Sequence, residues 1–214
     1  MRNLKLINHP LVEHYLSILR DKETDHINFK FCLDKVSYLI ASEVFSSLSV
    51  KRINIETPIK KTKGFQINDD VILLPILRAG LGLLTGFMEL FPKVRTGHIG
   101  LYRNEETLEP IKYYYRFPAI KDKRKVFIII VDPMLATGGS TAYTIKQMLE
   151  NGYRKIAVAS LLAAPEGINH INKQFKSLEQ QITIYTCSLD EKLNELGYIV
   201  PGLGDAGDRL FGTI

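Results

Sequence analysis

Val126-Phe127-Ile128-Ile129-Ile130-Val131, followed by Asp132-Pro133-Met134-Leu135-Ala136-Thr137-Gly138-Gly139-Ser140-Thr141, decides the fold. The first six residues are an unbroken run of β-branched and aromatic side chains, the mark of a strand buried on both faces. Pro133 and the Gly138-Gly139 pair close that strand in a turn, and Thr141–Glu150 reads as a helix stopped by Asn151-Gly152. Three more apolar runs of strand length lie at Val71–Leu77, Ile156–Leu162 and Ile182–Thr186, with helix-like segments at Leu81–Leu90 and Gly167–Phe175. Alternating strands and helices predict an α/β fold: a mainly parallel sheet, flanked by helices and joined by right-handed crossovers.

The flanking sequence adds to this frame. Leu11–Arg20 and Phe29–Leu48 carry apolar residues every three or four positions and predict an N-terminal helical segment. Ile53 and Ile55 alternate with polar neighbours before Pro58, as in a short strand or β-arm. Tyr102–Phe117 reads as a loop with an extended return. Gly197–Gly212 has five glycines and no helix or strand period, so it reads as structureless and a candidate functional loop. Without repeats or linker-like stretches, residues 1–214 are expected to form a single domain.

Composition excludes several classes. With 45% hydrophobic and 24% charged residues, the chain is not of disordered type. No apolar run reaches the roughly 18 residues of a bilayer crossing, and Met1–Pro10 lacks the apolar stretch of a secretory signal. Cys32 and Cys187 make neither a disulfide framework nor a zinc site. A soluble, cytoplasmic protein with no membrane partner is the expectation. The net charge of +5 is concentrated in Lys51–Lys63, a local surplus of four, and Lys121–Lys125, a surplus of three. Both are expected to be solvated loops. Neither interleaves aromatics with its basic residues, so no nucleic-acid partner is expected.

The turn after Val131 carries the chemistry. Ligands of parallel sheets sit beyond the carboxyl ends of the strands, which is where Asp132 would present a carboxylate to sugar hydroxyls. Thr137-Gly-Gly-Ser-Thr141 has two readings, a cluster of capping residues or a cradle whose backbone N–H groups converge on a phosphate. The buried strand and Asp132 at this spacing favour the cradle. No Gly-Lys-Ser or Gly-Lys-Thr occurs, so it is not a Walker A loop. Arg78, after Val71–Leu77, is placed at another strand end, where a guanidinium fork suits a diphosphate better than a lysine does. Gly202-Leu-Gly-Asp-Ala-Gly207 matches a dinucleotide fingerprint by spacing, but only seven residues follow it, too few for the rest of that unit.

Val131–Thr141 resembles the phosphoribosyl diphosphate (PRPP) signature of the type I phosphoribosyltransferases. Pro133, where most of that superfamily has a second acid, is similar to the uracil phosphoribosyltransferase branch. Leu74-Pro-Ile-Leu-Arg-Ala-Gly-Leu-Gly82, Tyr102-Arg-Asn-Glu-Glu-Thr-Leu-Glu-Pro110 and Gly197-Tyr-Ile-Val-Pro-Gly-Leu-Gly-Asp-Ala-Gly-Asp208 resemble the same branch. The resemblance covers nearly the whole chain and implies the type I phosphoribosyltransferase fold. It implies transfer of the 5-phosphoribosyl group from PRPP to uracil, giving UMP and diphosphate in pyrimidine salvage. Arg78, Arg103, Asp132, Pro133, Met134, Leu135, Ala136, Thr137, Gly138, Gly139, Ser140 and Asp205 are implied PRPP-binding residues. Tyr198, Ile199, Gly204, Asp205 and Ala206 are implied to recognise uracil, and Arg78, Arg103 and Asp205 to act in catalysis. The implied cofactor is Mg2+, held mainly through PRPP with no dedicated protein ligands. A homodimer or higher homo-oligomer, with GTP as an effector, is also implied.

The resemblance is weakest in the first fifty residues, where Lys30 and Ser42-Glu-Val-Phe45 replace an Arg and a Tyr-Glu-Ala-Thr segment usual in the family. The alternative within the superfamily is an RNA-binding pyrimidine-operon regulator. Asp132-Pro133 argues against it, because such regulators keep two acids. Orotate would want a cationic partner for its carboxylate, and no lysine or arginine lies between Gly197 and Asp208.

Overall fold

The structure, a computed structural model, describes residues 3–103, 110–120 and 122–213. In chain order its elements begin β1 (Leu4–Leu6), α1 (Pro10–Arg20), α2 (His26–Phe45), β2 (Val50–Glu56), β3 (Lys61–Ile67), β4 (Asp70–Leu77) and α3 (Leu84–Leu90). Then come β5 (Arg95–Thr96), β6 (His98–Arg103), β7 (Pro110–Arg116), β8 (Val126–Val131), β9 (Met134–Leu135) and α4 (Gly139–Glu150). The chain continues through β10 (Lys155–Ala163), α5 (Pro165–Gln174), β11 (Ile182–Leu189), β12 (Lys192–Leu193), β13 (Ile199–Val200) and α6 (Ala206–Phe211).

The main sheet runs in the order β1-β11-β10-β8-β4-β6-β7, parallel throughout except for β7, which returns antiparallel to β6. β8 is central and buried at all six positions. Its side chains alternate between two cores, Phe127, Ile129 and Val131 facing one layer and Val126, Ile128 and Ile130 the other. The first layer is α1, α2, α3 and α6, and the second is α4 and α5. Each buried aliphatic side chain contributes about 1.5–3 kcal/mol relative to exposure, so the strand order that covers β8 on both faces is strongly favoured. The continuous apolar runs of the sequence are thus explained by a two-sided core.

Four expectations change. The basic stretch Lys51–Lys63 is not a loop: it runs through the antiparallel hairpin β2–β3, the predicted arm, which stays solvated. Leu81–Leu90 is split into a 3-10 turn, Ala79–Leu83, and the short helix α3. Gly86 sets that packing, because a Cβ there would sit 2.3 Å from the Ser37 carbonyl carbon in α2. Gly197–Gly212 is not structureless, since it contains β13 and the six-residue α6. Six residues make too short a helix to show a period. Strand β1, absent from the sequence reading, is a three-residue edge strand paired to β11.

Candidate active site

The carboxyl ends of β4 and β8 lie side by side, with Pro75 in register with Val131, and each delivers one predicted polar residue. Arg78 leaves β4 into the 3-10 turn, its side chain about half exposed. Gly80 lets that turn close on β8, because a Cβ there would come within 2.4 Å of the Val131 carbonyl oxygen. Asp132 follows β8 directly, half-buried, its N–H bonded to the Ala159 carbonyl at 3.1 Å. Burial lifts its carboxyl to about 7, opposed only by one long backbone hydrogen bond from the Met134 N–H at 3.5 Å. A carboxylate so poorly served by the protein is suited to accept hydrogen bonds from a ligand's hydroxyls.

The predicted cradle is a tightly anchored turn. Pro133 is buried, and its carbonyl accepts from the Leu161 and Leu162 N–H groups at 3.0 and 2.9 Å. Met134 and Leu135 form β9 against Leu162 and Ala163 of β10. Ala136 and Thr137 then turn the chain, and the Thr137 hydroxyl accepts a 3.4 Å bond from the Gly139 N–H. Gly138 caps α4 with a left-handed φ of 79°, a conformation that glycine adopts without strain. It has no side chain to occupy the helix end, so the N–H groups of Ser140 and Thr141 in the first turn are uncapped and that of Gly139 has only its long bond to Thr137, an arrangement suited to an anion. The α4 dipole adds partial positive charge at the same place. Of the three hydroxyl residues, Thr141 is buried and Thr137 and Ser140 are half-exposed.

The third wall is α6. Asp205 caps it, its Oδ1 accepting from the Asp208 N–H at 2.9 Å. Arg78 reaches across to Asp208, Nη2 to Oδ1 at 3.0 Å, and Gly207 lies between, its absent Cβ 3.1 Å from Asp205 Oδ1 and 3.8 Å from Arg78 Nη2. Hydrogen bonding by Thr213 and Arg78 holds the Asp208 carboxyl below the usual carboxylate range. Arg78, Asp205 and Ala206 are therefore brought together, next to the strand end that bears Asp132. Gly204 has a left-handed φ of 80°, and a Cβ there would make only an ordinary contact, 3.9 Å from Arg209 Cδ, whereas Ile199 and Ala206 are buried in the core. Tyr198 is 46% exposed, in the turn between β12 and β13. Arg103 ends β6, and its side chain lies outside the described residues, as does the 104–109 part of the Tyr102–Phe117 loop.

No group of three or more His, Cys, Asp or Glu side chains converges on a metal position among the described residues. The site offers separate hard oxygens, from Asp132 and Asp205, which fit an ion that arrives already bound to a substrate's phosphates. Residues the sequence reading left without a role also hold the site. Asp208 stood inside a quoted motif, and Gly167 packs beneath the cradle, where a Cβ would meet the Ala136 carbonyl oxygen at 2.3 Å. Arg209 donates to the carbonyls of Leu19, Leu203, Asp21 and Thr24, tying α1 to the segment before α6. Contacts between such distant residues leave no local signal.

Comparison with known proteins agrees with this geometry. A sequence model described as uracil phosphoribosyltransferase matches residues 6–213. Proteins named uracil phosphoribosyltransferase from Streptococcus salivarius and Fervidobacterium nodosum are 47% and 46% identical, over 100% and 98% of this chain and 100% and 99% of theirs. The solved AQ2163 protein from Aquifex aeolicus superposes with a TM-score of 0.88 at 34% identity, covering 97% of each chain. An adenine phosphoribosyl transferase from Trypanosoma brucei shares the fold at a TM-score of 0.59 and 12% identity, over 96% of this chain and 89% of that one. The sequence model spans nearly the whole chain, and these relatives match it end to end: this chain belongs to the uracil phosphoribosyltransferases.

Proposed function

We propose that the protein transfers the 5-phosphoribosyl group of PRPP to uracil, forming UMP and releasing diphosphate. The observation that carries this reading is the convergence of three chemically distinct groups at the carboxyl ends of the sheet's central strands. These are the N–H cradle Ala136–Ser140, the Asp132 carboxylate, and the Arg78 guanidinium facing the Asp205–Asp208 turn. In the reading, the cradle holds the 5′-phosphate, with Pro133, Met134 and Leu135 fixing its backbone. Asp132 accepts from the ribose hydroxyls, and Arg78, joined by Arg103, holds the diphosphate.

Uracil N1 attacks the anomeric carbon as the bond from that carbon to the diphosphate oxygen breaks. The N1 proton passes to Asp205, and the leaving group keeps the bonding electron pair. The transition state is oxocarbenium-like, so the work of the residues is positioning and charge stabilisation. Mg2+ arriving with PRPP would supply further neutralisation of the diphosphate, and Asp205, with Oδ1 engaged in its cap, would face the ion's water with the same second oxygen that accepts the proton. Backbone groups of Ile199, Gly204 and Ala206, with Tyr198 beside them, read the uracil edge. Cytosine is rejected because its amine leaves a main-chain donor unpaired.

A cytoplasmic location and a homo-oligomer belong to the same proposal. Assembly is supported by the apolar surface of α2 and α3, where Ile27, Phe31 and Met88 are 68%, 53% and 45% exposed. The effector GTP is carried by the family resemblance alone. The test is PRPP-dependent turnover across uracil, cytosine, orotate and hypoxanthine. Turnover with uracil and only background with the others is expected, and preference for any of the other three bases overturns the assignment.

A further inference from the structure

The base-reading segment is held from behind by a pair of residues 170 positions apart. Arg20, in the last turn of α1, grips Asp190 with both ends of its fork, Nη1 to Oδ2 at 2.8 Å and Nη2 to Oδ1 at 2.6 Å. The Asp190 side chain is only 2% exposed and that of Arg20 24%. Burial alone would raise the Asp190 carboxyl, but bonds from Arg20, Ser188 and the Gly202 N–H outweigh it and hold it below the usual range. Both residues then converge on one peptide unit's neighbours. The Gly202 N–H donates to Asp190 Oδ2 at 3.0 Å, and the Gly202 carbonyl accepts from Arg20 Nη1 at 2.7 Å. Ser188 completes the cluster, its hydroxyl donating to Asp190 Oδ1 at 2.7 Å.

Gly202 sets the turn of the segment. Its φ is +59°, and a Cβ there would lie 2.1 Å from the Ile199 carbonyl oxygen, so the turn admits only glycine. It stands between Ile199 and Gly204, two of the residues assigned to uracil. A buried, fully bonded ion pair is weak evidence for stability, because a well-packed apolar pair often serves as well. Here the pair fixes both backbone polar groups of one turn, a task that no apolar pair can perform. Nothing in the cluster is bonded to the cradle, Asp132 or Arg78 among the described residues.

We propose that Arg20 and Asp190 are positioning residues for base recognition, which clamp Gly202 so that Ile199–Ala206 is presented in the register that reads uracil. The inference rests on the assigned reaction and adds a residue pair to it. It separates the two substrates: loosening the clamp weakens uracil and spares PRPP.

The experiment compares steady-state kinetics of the wild type, Arg20→Lys and Asp190→Asn with each substrate varied in turn. Losing a charge-assisted bond to the turn is expected to raise the uracil KM about tenfold or more. The PRPP KM stays within about twofold, and the preference for uracil over cytosine falls. Uracil and PRPP KM values that rise together, or that both stay unchanged in folded variants, overturn the proposal. If both variants fail to fold, Ser188→Ala, which removes one bond into Asp190, carries the same comparison with an expected uracil KM rise of about threefold. An unchanged uracil KM in that variant overturns the proposal equally. A wild type that does not use uracil strikes the assigned reaction instead, so the two failures are distinct.

Discussion

The guanidinium of Arg78 and the carboxylate of Asp208 meet at 3.0 Å, joining the end of β4 to α6 across 130 positions of sequence. Both side chains are substantially exposed, at 55% and 38%, so the pair adds little to stability. Its consequence is placement: the long side chain proposed to hold the diphosphate is aimed by α6, the helix proposed to border the base. Arg78→Lys keeps the charge and loses the fork, and is expected to lower kcat/KM for PRPP by about 10–100-fold. Asp208→Asn costs less, about threefold, and the double variant is no worse than Arg78→Lys alone, because the second change acts only through the first residue. Fully additive losses in the kinetic cycle would show that Asp208 acts on its own.

How far the sequence discloses this site depends on the distance between cooperating residues. The strands were legible because a two-sided core makes apolar runs such as Val126–Val131, and the cradle was legible because its parts are contiguous. The β2–β3 hairpin was only half legible: exposed on both faces, it has little alternation beyond Ile53 and Ile55, and its charges suggested a loop. Helix α6 was hidden by its length and its glycine, although Asp205 and Asp208 supply the signature of a capped start. The Arg20–Asp190 clamp was not legible at all, since neither residue's neighbours differ from those of an ordinary surface ion pair.

The poorly bonded carboxylate of Asp132 makes a pH prediction. Its folded pKa of about 7 lies above the unfolded value, so the folded chain holds this proton more tightly between about pH 4 and 7. Stability from this group is therefore greatest below pH 4, falls as pH rises through that window and levels off above 7. Asp132→Asn removes the penalty and is expected to raise the unfolding free energy at pH 8 by about 2 kcal/mol, a value discounted for partial solvation. At pH 5 the gain is smaller. In the proposed reaction the ribose hydroxyls need the ionised form, so the wild type's kcat/KM for PRPP is expected to rise as pH passes through about 7, and Asp132→Asn to lose most of its activity. Melting curves at the two pH values check the first part; a larger gain at pH 5 would reverse the assigned sign.

Gly167 supports the cradle by leaving space. A Cβ at this position would meet the carbonyl oxygens of Ala136 at 2.3 Å and Leu135 at 3.0 Å. Gly138 presses back, its own Cβ position 2.8 Å from the Gly167 carbonyl oxygen. Neither backbone can yield without moving the N–H groups at the start of α4, which are proposed to hold the 5′-phosphate. Gly167→Ala is expected to destabilise the fold by about 1–3 kcal/mol and to raise the PRPP KM about tenfold. The uracil KM stays within about twofold. An equal rise in both KM values would mean that the strain spreads beyond the cradle.

Asp205 has two tasks that substitution can separate. It caps α6 through the Asp208 N–H, and it is the candidate base for the uracil N1 proton. Asparagine caps helices as well as aspartate does, so Asp205→Asn preserves the helix start and removes only the proton acceptor. The thermal midpoint is expected to stay within about 1 °C, while kcat falls by about 10²–10³ and the pH–rate profile changes shape. Asp205→Ala removes both functions and adds a loss of about 1 kcal/mol of stability, the usual worth of an N-cap. Calorimetry on the two variants, read beside their pH–rate profiles, divides the cap from the chemistry. If Asp205→Asn keeps the wild-type kcat and profile, the proton goes elsewhere, and Asp205 serves the site only by holding α6 against Arg78.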